Sequence, residues 1–235
     1  MKEAVKQGAL QAVLFDLDGT LLNTLDDLAA STNAALDMHG MPQRTTDEVR
    51  RFVGNGVAKL IERAVPAGTS GEKAKQVLAG FIAHYEKHSA DHTGPYPGIM
   101  ELLSALRTQG VKCAVISNKI EPAVKTLCTE YFGDFIQAAV GDAPERRTKP
   151  DPMGVYEAMA RLGVSKENCV YIGDSDVDIY TGHNAGIKSI GVTWGFRSEE
   201  LLRDAGADFI CHTAGELLEL LLAMCSGRNA DEEDS

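Results

Sequence analysis

Two carboxylates, Asp16 and Asp18, stand one residue apart where the apolar run Ala12-Val13-Leu14-Phe15 gives way to Leu17, Gly19, Thr20 and Leu21. Such a run reads as a buried strand, and in open α/β sheets ligands bind outside the carboxyl ends of the strands. Asp16 and Asp18 are therefore expected at a sheet edge where chemistry is done, and the two-residue period of a strand points both to one side. Asp-Gly between apolar segments is equally the signature of a tight turn, so this segment alone leaves a turn and a site both open. An EF-hand calcium loop is disfavoured, because Leu21 stands where such a loop requires glycine.

Other strand ends carry polar groups of related character. Cys113-Ala114-Val115-Ile116 ends in Ser117-Asn118-Lys119, which offers a hydroxyl and successive backbone donors to a phosphate oxygen, or else forms a turn or a helix cap. Cys169-Val170-Tyr171-Ile172 runs into Gly173-Asp174-Ser175-Asp176-Val177-Asp178. Carboxylates gathered there repel one another unless a cation sits among them, and an all-oxygen ligand set suits magnesium. The plainer reading is an acidic helix start favoured by the helix dipole. Lys149, between Thr148 and the Pro150-Asp151-Pro152 turn, is either a solvated surface lysine or an ammonium fixed to neutralise two anions that must meet.

The elements that must position these groups follow from periodicity. After the Asp-rich turn, Leu25, Leu28, Ala29, Ala35 and Leu36 recur at helical spacing, and helical patterns continue over Val57 to Val65 and Glu72 to His88. Gly94-Pro95-Tyr96-Pro97-Gly98 then breaks the pattern and marks a boundary. From Gly98 the chain alternates. Helices are expected to Gln109, over Pro122–Tyr131 and Pro152–Leu162, around Ile179–Ala185 and over Glu216–Cys225, separated by strands Cys113–Ser117, Phe135–Gly141, Cys169–Gly173, Ser189–Thr193 and Asp208–Cys211. Strands spaced by helices predict an α/β fold with a parallel sheet. The division expected is an α/β core from residues 1–23 and 95–226, a helical insert over 24–94, and an acidic tail without fixed structure at 227–235.

At 235 residues the chain can bury roughly 70% of its unfolded surface without staples. The formal net charge of -11 opposes nucleic acid or an anionic membrane as a general partner, so an anionic substrate has to meet a local positive site. The five cysteines form no CxxC pair and read as reduced, mostly buried thiols. No apolar run approaches the roughly 18 residues of a membrane span, which leaves the cytoplasm as the expected location.

Taken in order, Asp-x-Asp-Gly-Thr, the strand-end Ser-Asn, Lys-Pro and Gly-Asp-x-x-x-Asp resemble the haloacid dehalogenase superfamily over nearly the whole chain. Phe52-Val53-Gly54-Asn55-Gly56-Val57, Tyr96-Pro97-Gly98 and Gly191-Val192-Thr193-Trp194-Gly195-Phe196 are similar to its phosphoglycolate phosphatase branch. The resemblance implies a Rossmann-like three-layer core with an inserted helical cap, and a magnesium-dependent phosphatase acting on a small phosphorylated metabolite, 2-phosphoglycolate first among candidates. It gives Asp16 as nucleophile through an aspartyl-phosphate and Asp18 as acid/base. Magnesium is held by Asp16, the Asp18 carbonyl and Asp174, with Asp178 acting through water or by orienting its neighbours; Asp176 falls at a variable position. Ser117, Asn118 and Lys149 hold the phosphoryl oxygens, and Thr20 joins them as a substrate-binding residue. Asn55 and Gly56 are the contacts expected from the cap, a mobile element that closes over the site and excludes water; an Asn-Gly turn between cap helices is compatible with that reading. The expected assembly is a monomer or a homodimer.

The same core motifs serve a sugar phosphomutase of the β-phosphoglucomutase type, which returns the phosphoryl group to a sugar hydroxyl, and an inorganic pyrophosphatase. His84, His88 and His92, four residues apart, could form a zinc face; Ser89, Ala90 and Asp91 weaken a helix towards His92, and a solvated face is the expectation.

Overall fold

The computed structural model describes residues 9–227. The acidic tail expected at 227–235 lies outside them but for Gly227. In chain order the elements begin with β1 (Ala12–Phe15), β2 (Leu22–Asn23), α1 (Leu25–Asp37), α2 (Thr46–Phe52), α3 (Val57–Ala64), α4 (Gly71–His88) and β3 (Gly94–Pro95). They continue with α5 (Ile99–Thr108), β4 (Lys112–Ile120), α6 (Glu121–Phe132), β5 (Ala138–Asp142), α7 (Met153–Leu162), β6 (Cys169–Gly173), α8 (Asp176–Ala185), β7 (Lys188–Val192), α9 (Glu199–Asp204), β8 (Phe209–Cys211) and α10 (Ala214–Cys225). The chain divides into two compact units, one holding the segments up to Leu21 and from Tyr96 onward, the other Leu22–Pro95.

In the first unit the described residues build a six-stranded parallel sheet in the order β5-β4-β1-β6-β7-β8. The α/β class expected from alternating strands and helices is the class observed. All four residues of β1 are fully buried, as a strand covered on both faces must be. Ala12 and Leu14 pack on one face with Ala114, Ile116 and Tyr171 against Val155 and Ala158 of α7; strand alternation turns Val13 and Phe15 to the other. Connections leave β1 towards β4 and β5 on one side and return to β6, β7 and β8 on the other. The carboxyl end of β1 is therefore the switch point of the sheet.

Several boundaries depart from the periodicity reading. β4 runs on through Asn118 and Lys119 to Ile120, but its register against β5 breaks between Ile116 and Ile120, so the polar end of this segment is an irregular strand end. β5 begins at Ala138, three residues later than expected, because Gln137 is spent on a turn: its amide donates to the carbonyls of Asp134 and Phe135 and its Oε1 accepts from the Cys113 N–H.

The second unit is helical, with β2 and β3 paired antiparallel where its two ends meet. Helix α1 packs on α4, and α2 on α3. Asp27, in the first turn of α1, has a side chain only 1% exposed and accepts hydrogen bonds from the His92 N–H and Nδ1 and from the Thr93 N–H and Oγ1, at 2.8–3.1 Å. That carboxylate holds the segment leading into β3. Helix α4 ends at His88, so His92 is not on it. His84 bonds Ser31 and His88 bonds Asp91, and the three imidazoles share no ligand geometry. No disulfide forms among the cysteines, and burial pushes the thiols of Cys113, Cys128 and Cys211 up to about 12, where they are inert at neutral pH. No helix among the described residues is long and apolar enough to cross a membrane.

Candidate active site

Three adjacent strands deliver the polar groups. Phe15 is in register with Val115 and with Ile172, so Asp16 leaves β1 level with Ile116 of β4 and Gly173 of β6. Its N–H still donates to the Ile172 carbonyl at 2.8 Å, the last bond of the ladder. Beyond it the chain turns at Gly19, whose φ of +91° suits glycine. Ser117, Asn118 and Lys119 lie near the end of β4, before Ile120, and Asp174 follows β6.

Lys149 comes from the loop before α7 and is fixed at both ends. Its backbone N–H donates to Asn118 Oδ1 at 2.8 Å and its carbonyl accepts from Asn118 Nδ2 at 3.3 Å. Its Nζ, on a side chain 4% exposed, donates to Asp16 Oδ1 at 2.6 Å and to Asp178 Oδ1 at 2.7 Å. The ring of Tyr171 lies 5.9 Å from the same nitrogen. Asp178 gives its second oxygen to the N–H and hydroxyl of Ser175, at 3.1 and 2.6 Å. Asp174 accepts from the Phe196 N–H at 2.6 Å and, at 3.4 Å, from the hydroxyl of the fully buried Thr20, whose carbonyl in turn accepts from Trp194.

Asp16, Asp174 and Asp178 are all buried, each with an oxygen within 4.8 Å of the others'. Burial and the neighbouring carboxylates push Asp16 upward against the pull of Lys149. Burial and Asp178 push Asp174 up to about 7. Lys149 is raised by Asp16 and Asp178, which outweigh its own desolvation. With Asp18 paired to Lys119 at 2.7 Å, four carboxylates, when ionised, face two ammoniums and, beside Asp174, the Arg197 guanidinium, so negative charge is in excess. Buried oxygen ligands with uncompensated negative charge fit a divalent cation of the magnesium type. One oxygen of Asp16 accepts no hydrogen bond from the described residues and is available for bond formation.

Of the residues expected from sequence, Asp16, Thr20, Lys149, Asp174 and Asp178 come together here, with Ser117 and Asn118 at the adjoining strand end. The Ser117 hydroxyl accepts from the Lys119 N–H at 3.2 Å. Asn55 and Gly56 lie in the helical unit: Asn55 is exposed with its carbonyl oxygen held by Arg63 at 2.8 Å, and Gly56, at φ +81°, starts α3. The sequence reading did not assign Lys119, Gly195 or Phe196. A Cβ on Gly195 would lie 2.3 Å from that of Asp174 and 2.5 Å from the Gly19 carbonyl oxygen, so glycine there lets the loop after β7 close on Asp174.

Residues 13–192 match the family described as haloacid dehalogenase-like hydrolase. A phosphoglycolate phosphatase of Caulobacter vibrioides is 35% identical over 86% of this chain and 86% of its own. An N-acetylmuramic acid 6-phosphate phosphatase of Pseudomonas aeruginosa is 33% identical over 94% of this chain and 99% of its own. A crystal structure from Lactobacillus delbrueckii, assigned as a phosphoglycolate phosphatase, superposes with a TM-score of 0.86 at 35% identity, covering 91% of this chain and 98% of the other.

Proposed function

The chain belongs to the haloacid dehalogenase-like hydrolase family, and from that premise we propose that it is a magnesium-dependent phosphatase which hydrolyses a small phosphomonoester through an aspartyl-phosphate. The observation that carries the reading is a single carboxylate, Asp16, at the switch point of the sheet, held by a buried ammonium with one oxygen left open.

In this reading Asp16 attacks phosphorus, the acyl phosphate forms as the P–O bond to the alcohol breaks, and Asp18 gives its proton to the departing alkoxide. Asp18 then takes a proton from water, which attacks phosphorus and frees both phosphate and the Asp16 carboxylate. An alkyl phosphate needs that acid because an alkoxide leaves poorly. The Ser117 hydroxyl, the Asn118 backbone and Lys149 hold the phosphoryl oxygens, and phosphoryl transfer is accelerated mostly by such positioning and charge. Magnesium, held by Asp16, the Asp18 carbonyl and Asp174, would supply the missing positive charge beside the phosphoryl group. Asp178 orients Lys149 and the start of α8. Thr20, whose hydroxyl faces Asp174, is assigned to holding that ligand.

The relatives are named for 2-phosphoglycolate and for N-acetylmuramic acid 6-phosphate, both phosphate esters of hydroxy acids, and we take 2-phosphoglycolate as the first candidate. The helical unit is assigned to substrate selection, with Asn55 and Gly56 as its contacts. The test is phosphate release from a panel of 2-phosphoglycolate, sugar phosphates and pyrophosphate, with magnesium or chelator. We expect release from a phosphomonoester, its loss with chelator, and its abolition in Asp16→Asn. Activity surviving Asp16→Asn removes the covalent mechanism; conversion of β-glucose 1-phosphate to glucose 6-phosphate without release makes the protein a mutase.

A further inference from the structure

The site holds a second buried lysine that the steps above do not use. Lys119, less than a tenth exposed, is the penultimate residue of β4, two beyond Ser117, and donates from Nζ to Asp18 Oδ1 at 2.7 Å. An ammonium in such a place costs several kcal/mol of desolvation unless something there requires it, and the nucleophile already has Lys149. The two carboxylates of Asp-x-Asp are thus held by different lysines from different segments, Asp16 by Lys149 and Asp18 by Lys119.

We propose that Lys119 is a positioning residue for Asp18, anchoring one carboxyl oxygen so that the other is presented to the leaving oxygen of the substrate. The inference rests on the phosphatase reading. Asp18 has the most exposed side chain of the ion-paired carboxylates here, 14% against 9% for Asp16 and 1% for Asp178, and it sits in a turn beside three like charges. Without a tether the repulsion of Asp16, Asp174 and Asp178 drives it outward. The backbone holds the base of the tether: Lys119 lies in the irregular stretch of β4 bounded by the pairs Ile116–Val140 and Ile120–Asp142, and its N–H is held on the Ser117 hydroxyl. A group that acts through Asp18 affects the steps in which Asp18 gives or takes a proton, and of the two bond-breaking steps compared below only the alkyl one needs that proton; phosphate binding is left alone.

The experiment compares wild type, Lys119→Met, Lys119→Arg, Asp18→Asn and the Lys119→Met/Asp18→Asn double variant on 2-phosphoglycolate and on p-nitrophenyl phosphate, whose phenolate leaves without a proton. Lys119→Met is expected to lower kcat on the alkyl ester by about tenfold or more, to leave KM and the first-turnover burst of p-nitrophenolate nearly unchanged, and to add nothing in the Asp18→Asn background, the non-additivity of groups that act as a unit. Lys119→Arg recovers most of the loss. An equal loss of ester-bond breakage in the first turnover of both esters, a change confined to KM, or additivity with Asp18→Asn overturns the proposal. Should Lys119→Met fail to fold, Lys119→Gln takes its place in the same cycle. A wild type that releases phosphate from neither ester refutes the phosphatase reading and this inference with it, whereas an active wild type with a uniform loss refutes this inference alone.

Discussion

Gly195 shows how little room the site leaves. Its missing side chain is filled by Asp174 and the Gly19 carbonyl, both within 2.5 Å of where a Cβ would stand, and neither is the free end of a flexible chain. Gly195→Ala is expected to cost about 1–3 kcal/mol by overpacking, read by denaturant unfolding, together with a loss of phosphatase activity; a variant as stable and active as wild type would contradict the packing argument. The residue was not found from sequence because its partner lies across the sheet, on another strand end. Lys119 is the same case: its carboxylate is 101 positions away, and no local pattern distinguishes a strand-end lysine that meets Asp18 from one in water. The groups that could be recognised, Asp16, Ser117, Lys149 and Asp174, each carried a local mark, an apolar run broken by a polar group or a proline-fixed loop.

At the scale of elements, long strands and helices were legible because each buries a continuous apolar face, as β1, β6 and α7 do. Helix α2 was not: only Val49 is buried in its seven residues, so it has no stripe to read. Its signal was the capping box of Thr45 and Glu48. The Asp27 clamp in the helical unit was likewise invisible, since it joins the first turn of α1 to residues 65 and 66 positions later. Its hydrogen bonds, outweighing burial, hold the Asp27 carboxyl below the usual range, so its contribution is present above that range and lost as pH falls through the lowered value. Asp27 raises His92 above its ordinary value, and that part is lost as pH rises through the raised value. The clamp is therefore tightest between the two. Asp27→Asn, which turns an amide donor towards donors, should destabilise by about 1–3 kcal/mol at pH 6, and the gap to wild type should narrow by pH 9. Denaturant unfolding at both pH values decides; a gap that does not change with pH would show that His92 takes no part.

For the whole molecule, charge links the site to stability. Without a cation the folded protein holds Asp174 at about 7, above the ordinary carboxylate value, so it binds more protons than the unfolded chain between those limits and loses stability as pH rises through that interval. A divalent cation bound among these carboxylates would offset this loss by replacing the proton. Magnesium is expected to raise the thermal midpoint at pH 8 and to raise it less at pH 6, where a proton competes for the same oxygens. Equal increments at the two values would place the cation elsewhere.

The short pairing of Leu22–Asn23 with Gly94–Pro95 has a broader implication. The chain departs for the helical unit and comes back through neighbouring positions, so a visitor of any length fits between β1 and β4 without disturbing the register of the six-stranded sheet, and added length costs little closure entropy. If the helical unit selects the substrate, as proposed above, then what is done to a substrate and which substrate is admitted are written in separable stretches of one gene product. Lineages could exchange the second while inheriting the first intact.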